Sequence, residues 1–165
     1  PKVCVSVSTA DCIPILIYDR VHHAVAAVHA GWRSTVLRIP EAVLQAMAGA
    51  YGTRPQDVEA AIGPGISLEA FEVGDEVYEA FRTTGFPMEE MARRYPVAGD
   101  GSDRMEKWHL DLWQANRGLL EDCGVPSARI HLAGVCTYLH SERFFSARRL
   151  GIRSGRILNG IFLTD

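Results

Sequence analysis

Two side chains that can bind a metal ion, or act together as nucleophile and base, lie at the ends of neighbouring apolar runs. Cys12 comes directly before the run at residues 13–18, and His29 comes directly after the run at residues 24–28. Thiolate and imidazole groups suit zinc or copper. The same two groups can serve as a cysteine nucleophile and its general base. The residue types alone leave both kinds of chemistry open.

A candidate anion site follows the second run. Gly31 allows a tight turn. Ser34 or Thr35 can cap the helix that is predicted at residues 35–50. Arg33 lies beside that helix start, where unpaired backbone N–H groups and partial positive charge favour anions. The pattern therefore predicts a binding site for phosphate or another anion a few residues from the thiol and imidazole.

The two apolar runs predict a pair of antiparallel strands that position Cys12 and His29. Both runs are short, rich in Val, Ile and Ala, and separated by the polar residues 19–23, as in a hairpin. In an antiparallel pair, the start of one strand lies beside the end of the other. The spacing of 17 residues therefore brings the thiol and the imidazole to the same edge of a sheet.

The rest of the chain predicts further strands and helices around this hairpin. Pro40 should either kink the predicted helix or mark the start of its regular part. Residues 83–107 have few periodic apolar residues and predict a long irregular loop, with one helical turn at residues 88–94. Asp111 is expected to cap a helix at residues 112–123. The other predicted elements are strands at residues 3–8, 58–62, 108–110, 129–135 and 157–163, and a helix at residues 75–81.

The composition is typical of one soluble globular domain. The 165 residues are 47% hydrophobic and 22% charged, with a formal net charge of −3. This charge gives no reason to expect nucleic acid or an anionic membrane as a partner. No apolar run approaches the ~18 residues of a membrane span. Four cysteines without a CxxC pair predict reduced thiols, and the cytosol is the expected compartment.

Five segments together carry a resemblance to a known family. They are TADCIP, VAAVHAGWR, AAIGPGISLEAFEVGDEV, HLDLWQANRGLL and GVCTYLHSERFFSARR, and they follow one another between residues 9 and 149. In these segments the chain resembles the YfiH-like, or laccase-domain, proteins. Members of that family are described as purine nucleoside phosphorylases, some of which also deaminate adenosine. An older description is multicopper polyphenol oxidoreductase.

The resemblance implies a fold and a metal site. The fold is α+β, with mixed β-sheets sandwiched between helical layers as an α/β/β/α sandwich. Residues 1–165 would form a single YfiH-like domain that lacks an N-terminal segment of the full family domain. The metal, zinc in most descriptions and copper in some, is held by a cysteine and two histidines. Cys12 matches the cysteine and His29 one histidine, while the other histidine lies upstream of this chain.

The resemblance also implies that purine nucleoside and phosphate are the substrates, which suggests roles for residues near the metal ligands. Arg33 would bind phosphate, and Trp32 would form one wall of a nucleobase pocket. Gly63 and Cys136 would lie beside the substrate. Asp11 would orient a bound water or the imidazole. Core packing or turn geometry explains Trp32, Gly63 and Cys136 without any ligand.

Three further functions stay open at this point. Without a metal, Cys12 and His29 would form the active site of a cysteine hydrolase or deamidase. Phenol oxidation of the laccase type ranks last, because one cysteine and a few histidines do not resemble a four-copper site. A non-catalytic remnant or interaction module would follow if no third metal ligand exists. Monomer and homodimer are both compatible with the sequence.

Overall fold

Strands and helices alternate along most of the chain. The structure, a computed structural model, describes residues 3–96 and 106–164. The strands are β1 (Val5–Thr9), β2 (Ile13–Asp19), β3 (Ala24–Ala30), β4 (Val58–Ile62), β5 (Glu72–Val73), β6 (Ala92–Pro96), β7 (Glu106–Leu110), β8 (Ile130–Leu132) and β9 (Ile157–Ile161). The helices are α1 (Trp32–Val36), α2 (Ile39–Tyr51), α3 (Asp75–Thr83), α4 (Met88–Met91), α5 (Leu112–Asp122) and α6 (Ala147–Leu150).

These strands form sheets of two, three and four strands. The four-stranded sheet has the order β3-β2-β4-β8, in which β4 and β8 run parallel and the other pairs are antiparallel. The three-stranded sheet has the order β5-β7-β6 and is antiparallel. β1 pairs with β9, also antiparallel. Mixed sheets combined with helices confirm the predicted α+β class.

Alternate side chains of β2 are fully buried in the core. Ile13, Ile15 and Ile17 have no exposed surface, because alternate side chains of a strand point to the same face. Side chains of α2 and α5 are buried in the same core, and α2 lies against β3. Slipping the strand by one residue would move all three isoleucines out of this core. Cys12, one residue before Ile13, is therefore held on the opposite face.

The first and last strands pair with each other beside this hairpin. In the β1–β9 ladder, Thr9 lies opposite Ile157. The Asn159 amide donates a hydrogen bond of 3.0 Å to Thr9 Oγ1. The valines of β1 are half-buried and its serines exposed, which agrees with the predicted alternation. The pairing brings the end of the chain to the turn that leads into β2.

The single helix predicted at residues 35–50 is two helices. α1 begins three residues earlier than predicted and is short, and Arg38 separates it from α2 in the left-handed conformation, with φ 57°. Pro40 lies in the first turn of α2. A proline costs little there, because its missing N–H would have had no helical partner. One of the two expected effects of Pro40, a later start of the regular helix, is therefore confirmed.

The long loop predicted at residues 83–107 contains regular structure. α4 and β6 occupy residues 88–96, and β7 begins at Glu106; the predicted loop residues 97–105 lie outside the described residues. β6 has the sequence ARRYP and is largely exposed at the edge of its sheet. It lacks alternating apolar residues because neither of its faces is fully buried, so the prediction of an irregular loop was wrong here.

The predicted cap of α5 is confirmed, and α6 has a cap that was not predicted. Asp111 Oδ1 accepts the Gln114 N–H at 2.9 Å and caps α5. Ser146 caps α6 by accepting the Arg149 N–H at 3.1 Å.

No helix within the described residues is both long and apolar enough to cross a lipid bilayer.

Candidate functional site

Cys12 and His29 converge on the space above Gly31. In the β2–β3 pairing His29 lies opposite Pro14, which places Cys12, two residues before Pro14, opposite Gly31. A methyl group placed on Gly31 would lie 3.0 Å from Cys12 Sγ and 3.9 Å from His29 Nε2. The sulfur and the ring nitrogen thus face a common point on one side of the sheet.

Gly63 extends this row of residues onto the next strand. Its N–H donates to the Pro14 carbonyl at 2.8 Å. A methyl group on Gly63 would lie 2.9 Å from Pro14 Cγ, so only glycine fits against the proline ring. Pro14 therefore lies between Gly63 and His29 across the sheet. The close packing of Gly63 on Pro14 explains why this residue is a glycine, and no ligand is needed to explain it.

The turn after His29 is held by Ser34. Its hydroxyl donates to the carbonyls of His29 and Gly31, both at 3.1 Å. Gly31 is the N-cap residue of α1, with no side-chain cap. The prediction that Ser34 or Thr35 caps this helix was wrong, because α1 begins before either residue. Thr35 is instead fully buried.

Arg33 stacks on its neighbour Trp32. The guanidinium carbon lies 4.2 Å from the centre of the indole ring, which is within the range of a cation–π contact. α1 has only five residues, too few aligned peptide dipoles for the helix terminus itself to attract an anion strongly. The predicted anion site therefore depends on Arg33 alone, and the stacked face of Trp32 is covered and not free for a nucleobase.

Cys136 lies in a buried part of the chain. Only 5% of its surface is exposed, and its sulfur accepts the Ser67 N–H at 3.3 Å. Cys136 also pairs with Gly65 in an isolated β-bridge. These contacts give the thiol a packing role, so the structure adds nothing to its predicted place beside the substrate.

Asp11 connects the turn before Cys12 to the C-terminal part of the chain. Its carboxylate accepts hydrogen bonds from the Thr137 hydroxyl and the Arg148 N–H, each at 2.7 Å. Asp11 has φ 82°, an uncommon left-handed conformation that Asp tolerates better than most residues. Both oxygens of the carboxylate are therefore used to fix the turn, and the suggested bond from Asp11 to His29 is not made.

The electrostatics of Cys12 reveal a residue that the sequence did not identify. Burial raises the pKa of the Cys12 thiol, the Asp11 carboxylate raises it further, and the Arg156 guanidinium acts in the opposite direction. Arg156 follows no recognisable motif and lies far from Cys12 in the sequence. Its proximity results from the β1–β9 pairing, which a single sequence does not predict.

A metal site would need more than the side chains described here. Residues 3–96 and 106–164 contain no group of three or more His, Cys, Asp or Glu side chains arranged to hold a metal ion. Cys12 and His29 offer two donors, one sulfur and one nitrogen. Two of the other histidines have carboxylate partners: His22 Nδ1 lies 2.9 Å from Asp19 Oδ2, and His131 Nε2 lies 2.8 Å from Glu59 Oε1.

The chain matches a family model over almost its whole length. The model, described as multi-copper polyphenol oxidoreductase laccase, covers residues 1–164. The chain belongs to this family. The resemblance found in the five sequence segments is thereby confirmed.

Relatives within this laccase family carry enzyme names. A purine nucleoside phosphorylase from Bacteroides thetaiotaomicron is 52% identical over 163 residues, which are 99% of this chain and 58% of the relative. A protein from an unknown prokaryotic organism, named adenosine deaminase RL5, is 44% identical over 97% of this chain and 58% of its own length. This chain therefore spans less than two thirds of the relatives that it matches.

Solved structures of the same family share the fold. The crystal structure of the Bacillus licheniformis hypothetical protein YfiH has a TM-score of 0.87 at 30% identity, over 99% of this chain and 59% of that one. YlmD from Geobacillus stearothermophilus has a TM-score of 0.80 at 31% identity, over 96% of this chain and 56% of that one. The predicted YfiH-like fold is therefore confirmed.

Proposed function

We propose that this family member is a purine nucleoside phosphorylase, which transfers the ribosyl group of a nucleoside from the purine base to phosphate. The observation that carries the proposal is the convergence of Cys12 Sγ and His29 Nε2 above Gly31. Arg33, a permanent cation, lies two residues further along the chain. The 52% identity to a protein named purine nucleoside phosphorylase supports the reaction class.

Cys12 and His29 fit a metal site in their chemistry. Thiolate and imidazole are ligands for zinc and also for copper. Catalytic zinc sites use three protein ligands and leave one position open. We infer that the third ligand is the second histidine that the family resemblance implies, which precedes the cysteine in the family's order. When bound, zinc would supply Lewis-acid polarisation of an oxygen at its open position.

Arg33 is the proposed ligand of the attacking phosphate. A guanidinium presents a rigid fork of N–H donors that matches two phosphate oxygens, and stacking on Trp32 restricts its plane. In the reaction, a phosphate oxygen bonds to C1′ of the ribose while the bond from C1′ to the purine nitrogen breaks. The base leaves with that electron pair and takes up a proton. Arg33 would hold the phosphate beside the sugar during this exchange.

Adenosine deamination is a second candidate activity of the same site. It is favoured by the 44% identity to a protein named adenosine deaminase. In that reaction water attacks C6 of the purine ring, the bond from C6 to the amino nitrogen breaks, and ammonia leaves, while the bond to the ribose stays intact. A cysteine hydrolase is less well supported, because burial and Asp11 both raise the pKa of the Cys12 thiol and so disfavour the thiolate nucleophile. Metal analysis of the complete protein separates these activities from a non-catalytic remnant, and a phenol-oxidation assay tests the laccase activity.

The proposal is tested by Arg33→Ala in the complete protein. If Arg33 binds phosphate, the apparent KM for phosphate should rise about tenfold to a hundredfold, since a hydrogen bond to a charged group contributes about 1.5 to 3 kcal/mol. Bound zinc and the KM for the nucleoside should stay unchanged. Phosphate dependence is measured from the rate of base release at saturating inosine.

Arg94→Ala is a matched control for this experiment. Arg94 also stacks on a tryptophan, with its guanidinium carbon 5.1 Å from the Trp108 ring centre, but it belongs to the three-stranded sheet. If the KM for phosphate rose only because an arginine–tryptophan stack was lost, it would rise equally in Arg33→Ala and Arg94→Ala. An unchanged KM for phosphate in Arg33→Ala would remove Arg33 from the site, and cleavage that needs no phosphate in the parent would refute the phosphorylase proposal.

A further inference from the structure

A second arginine is brought to the turn that carries Cys12. Thr9, the last residue of β1, lies opposite Ile157, the first residue of β9. Arg156, the residue before β9, therefore lies where the chain leaves β1 for the turn to Cys12. The hydrogen bond between the Asn159 amide and Thr9 Oγ1 fixes this end of the ladder.

The loop before β9 holds Arg156 in place. Arg156 Nη1 donates to the carbonyls of Ser154 and Gly155. Gly155 lies against the Phe145 ring, where an added methyl group would come within 2.6 Å of Cε1. Within the described part of the chain, the Nε and Nη2 donors of Arg156 make no hydrogen bond. The guanidinium is thus positioned by its own loop and keeps donors available for a ligand.

The positive charge of Arg156 is not balanced by a carboxylate among the described residues. No carboxylate of the described residues 3–96 and 106–164 forms an ion pair with it, whereas seven arginine–carboxylate ion pairs are formed elsewhere in these residues. Arg156 instead adjoins the Thr9–Ile157 pair, and Thr9 lies three residues before Cys12 in the chain. Because Arg156 has no carboxylate partner among the described residues and lies near the proposed phosphate site, its charge is available to bind phosphate.

We infer that Arg156 binds the phosphate substrate together with Arg33. The inference rests on the proposed phosphorolysis and adds a second phosphate ligand to it. Inorganic phosphate carries between about one and two negative charges near neutral pH and presents several acceptor oxygens, so it can accept hydrogen bonds from two guanidinium groups. Arg33 and Arg156 come from opposite ends of the chain, so phosphate binding would link α1 to the loop before β9.

The test compares Arg156→Ala, Arg156→Lys and Arg153→Ala in the complete protein. Arg153 is an exposed arginine of the same loop, so its variant removes the same charge a short distance away. Arg156→Ala should raise the apparent KM for phosphate about tenfold to a hundredfold, with the KM for inosine and the zinc content unchanged. Arg156→Lys should recover part of the loss, because it keeps the charge but not the fork. Arg153→Ala should behave as the parent.

A binding measurement keeps this test separate from the proposed activity. Inorganic phosphate should raise the melting temperature of the parent and of Arg153→Ala, and it should raise that of Arg156→Ala much less. If the parent is stabilised by phosphate in this pattern but cleaves nucleosides without phosphate, the anion site stands and the phosphorylase proposal fails. If phosphate does not stabilise the parent, or stabilises Arg156→Ala and Arg153→Ala equally, Arg156 is not a phosphate ligand.

Discussion

Replacing Gly31 with alanine should disturb the candidate metal site without disturbing the backbone. Gly31 has φ −77° and ψ 172°, an extended conformation that any residue adopts. What the position lacks is room, because the added methyl group would lie 3.0 Å from Cys12 Sγ, with His29 Nε2 at 3.9 Å. A favourable contact between nonbonded heavy atoms needs about 3.5 to 4.0 Å. The sulfur must therefore move by some tenths of an ångström.

This displacement of the Cys12 sulfur should cost little stability, but it is large compared with the tolerance of a metal–ligand distance. Overpacking of this kind costs about 1 to 3 kcal/mol of stability. Metal–ligand distances are defined to about 0.2 Å, so the Cys12 shift exceeds the tolerance of a zinc–sulfur bond. Loss of an orienting partner alone weakens metal binding about 10- to 100-fold. We expect Gly31→Ala to weaken zinc binding at least that much while the protein still folds.

The assay is a chelator competition titration of zinc in the complete protein, combined with urea unfolding. Gly49→Ala is the matched control, because Gly49 lies in α2 with no atom within 4 Å of the added methyl group. That control should bind zinc as the parent does and gain about 0.5 to 1 kcal/mol of stability. Equal zinc affinity in Gly31→Ala and Gly49→Ala would show that Cys12 and His29 do not share an ion above Gly31.

Two buried carboxylates give further predictions. Asp11→Asn keeps a residue that tolerates φ 82° but weakens two hydrogen bonds of 2.7 Å, so urea unfolding should show a loss of about 1.5 to 3 kcal/mol; a loss no larger than that of Thr137→Val would contradict this. Burial alone would raise the pKa of Asp19, but hydrogen bonds, including those from the Val21 and His22 N–H groups, hold it well below its usual value of 3.8. Its stabilising effect is therefore present above that pH and lost as the pH falls towards the folded-state pKa. Asp19→Asn should lower stability at neutral pH and reduce the further loss in acid, and unfolding curves at both pH values that parallel the parent would refute this.

Much of the site could be predicted because it is built from neighbouring residues. Two apolar runs on either side of a polar turn predict the β2–β3 hairpin, and its observed register places Cys12 opposite Gly31 with His29 beside it. Capping by Asp111 depends on an N–H only three residues away. The five sequence segments also identify the family, because they cover most of the chain in a fixed order.

Other features depend on contacts between distant parts of the chain. The pairing of β1 with β9 brings Arg156 to Cys12, and the hydrogen bonds of Asp11 reach Thr137 and Arg148. β6 is a strand because β7 supplies its hydrogen bonds, although its own side chains are mostly exposed. A local pattern records which face of an element is buried, but not which distant partner buries it. That choice is made by the packing of the whole chain, so the sequence alone determined the Cys12–His29 pair, and only the tertiary structure decided which charges surround it.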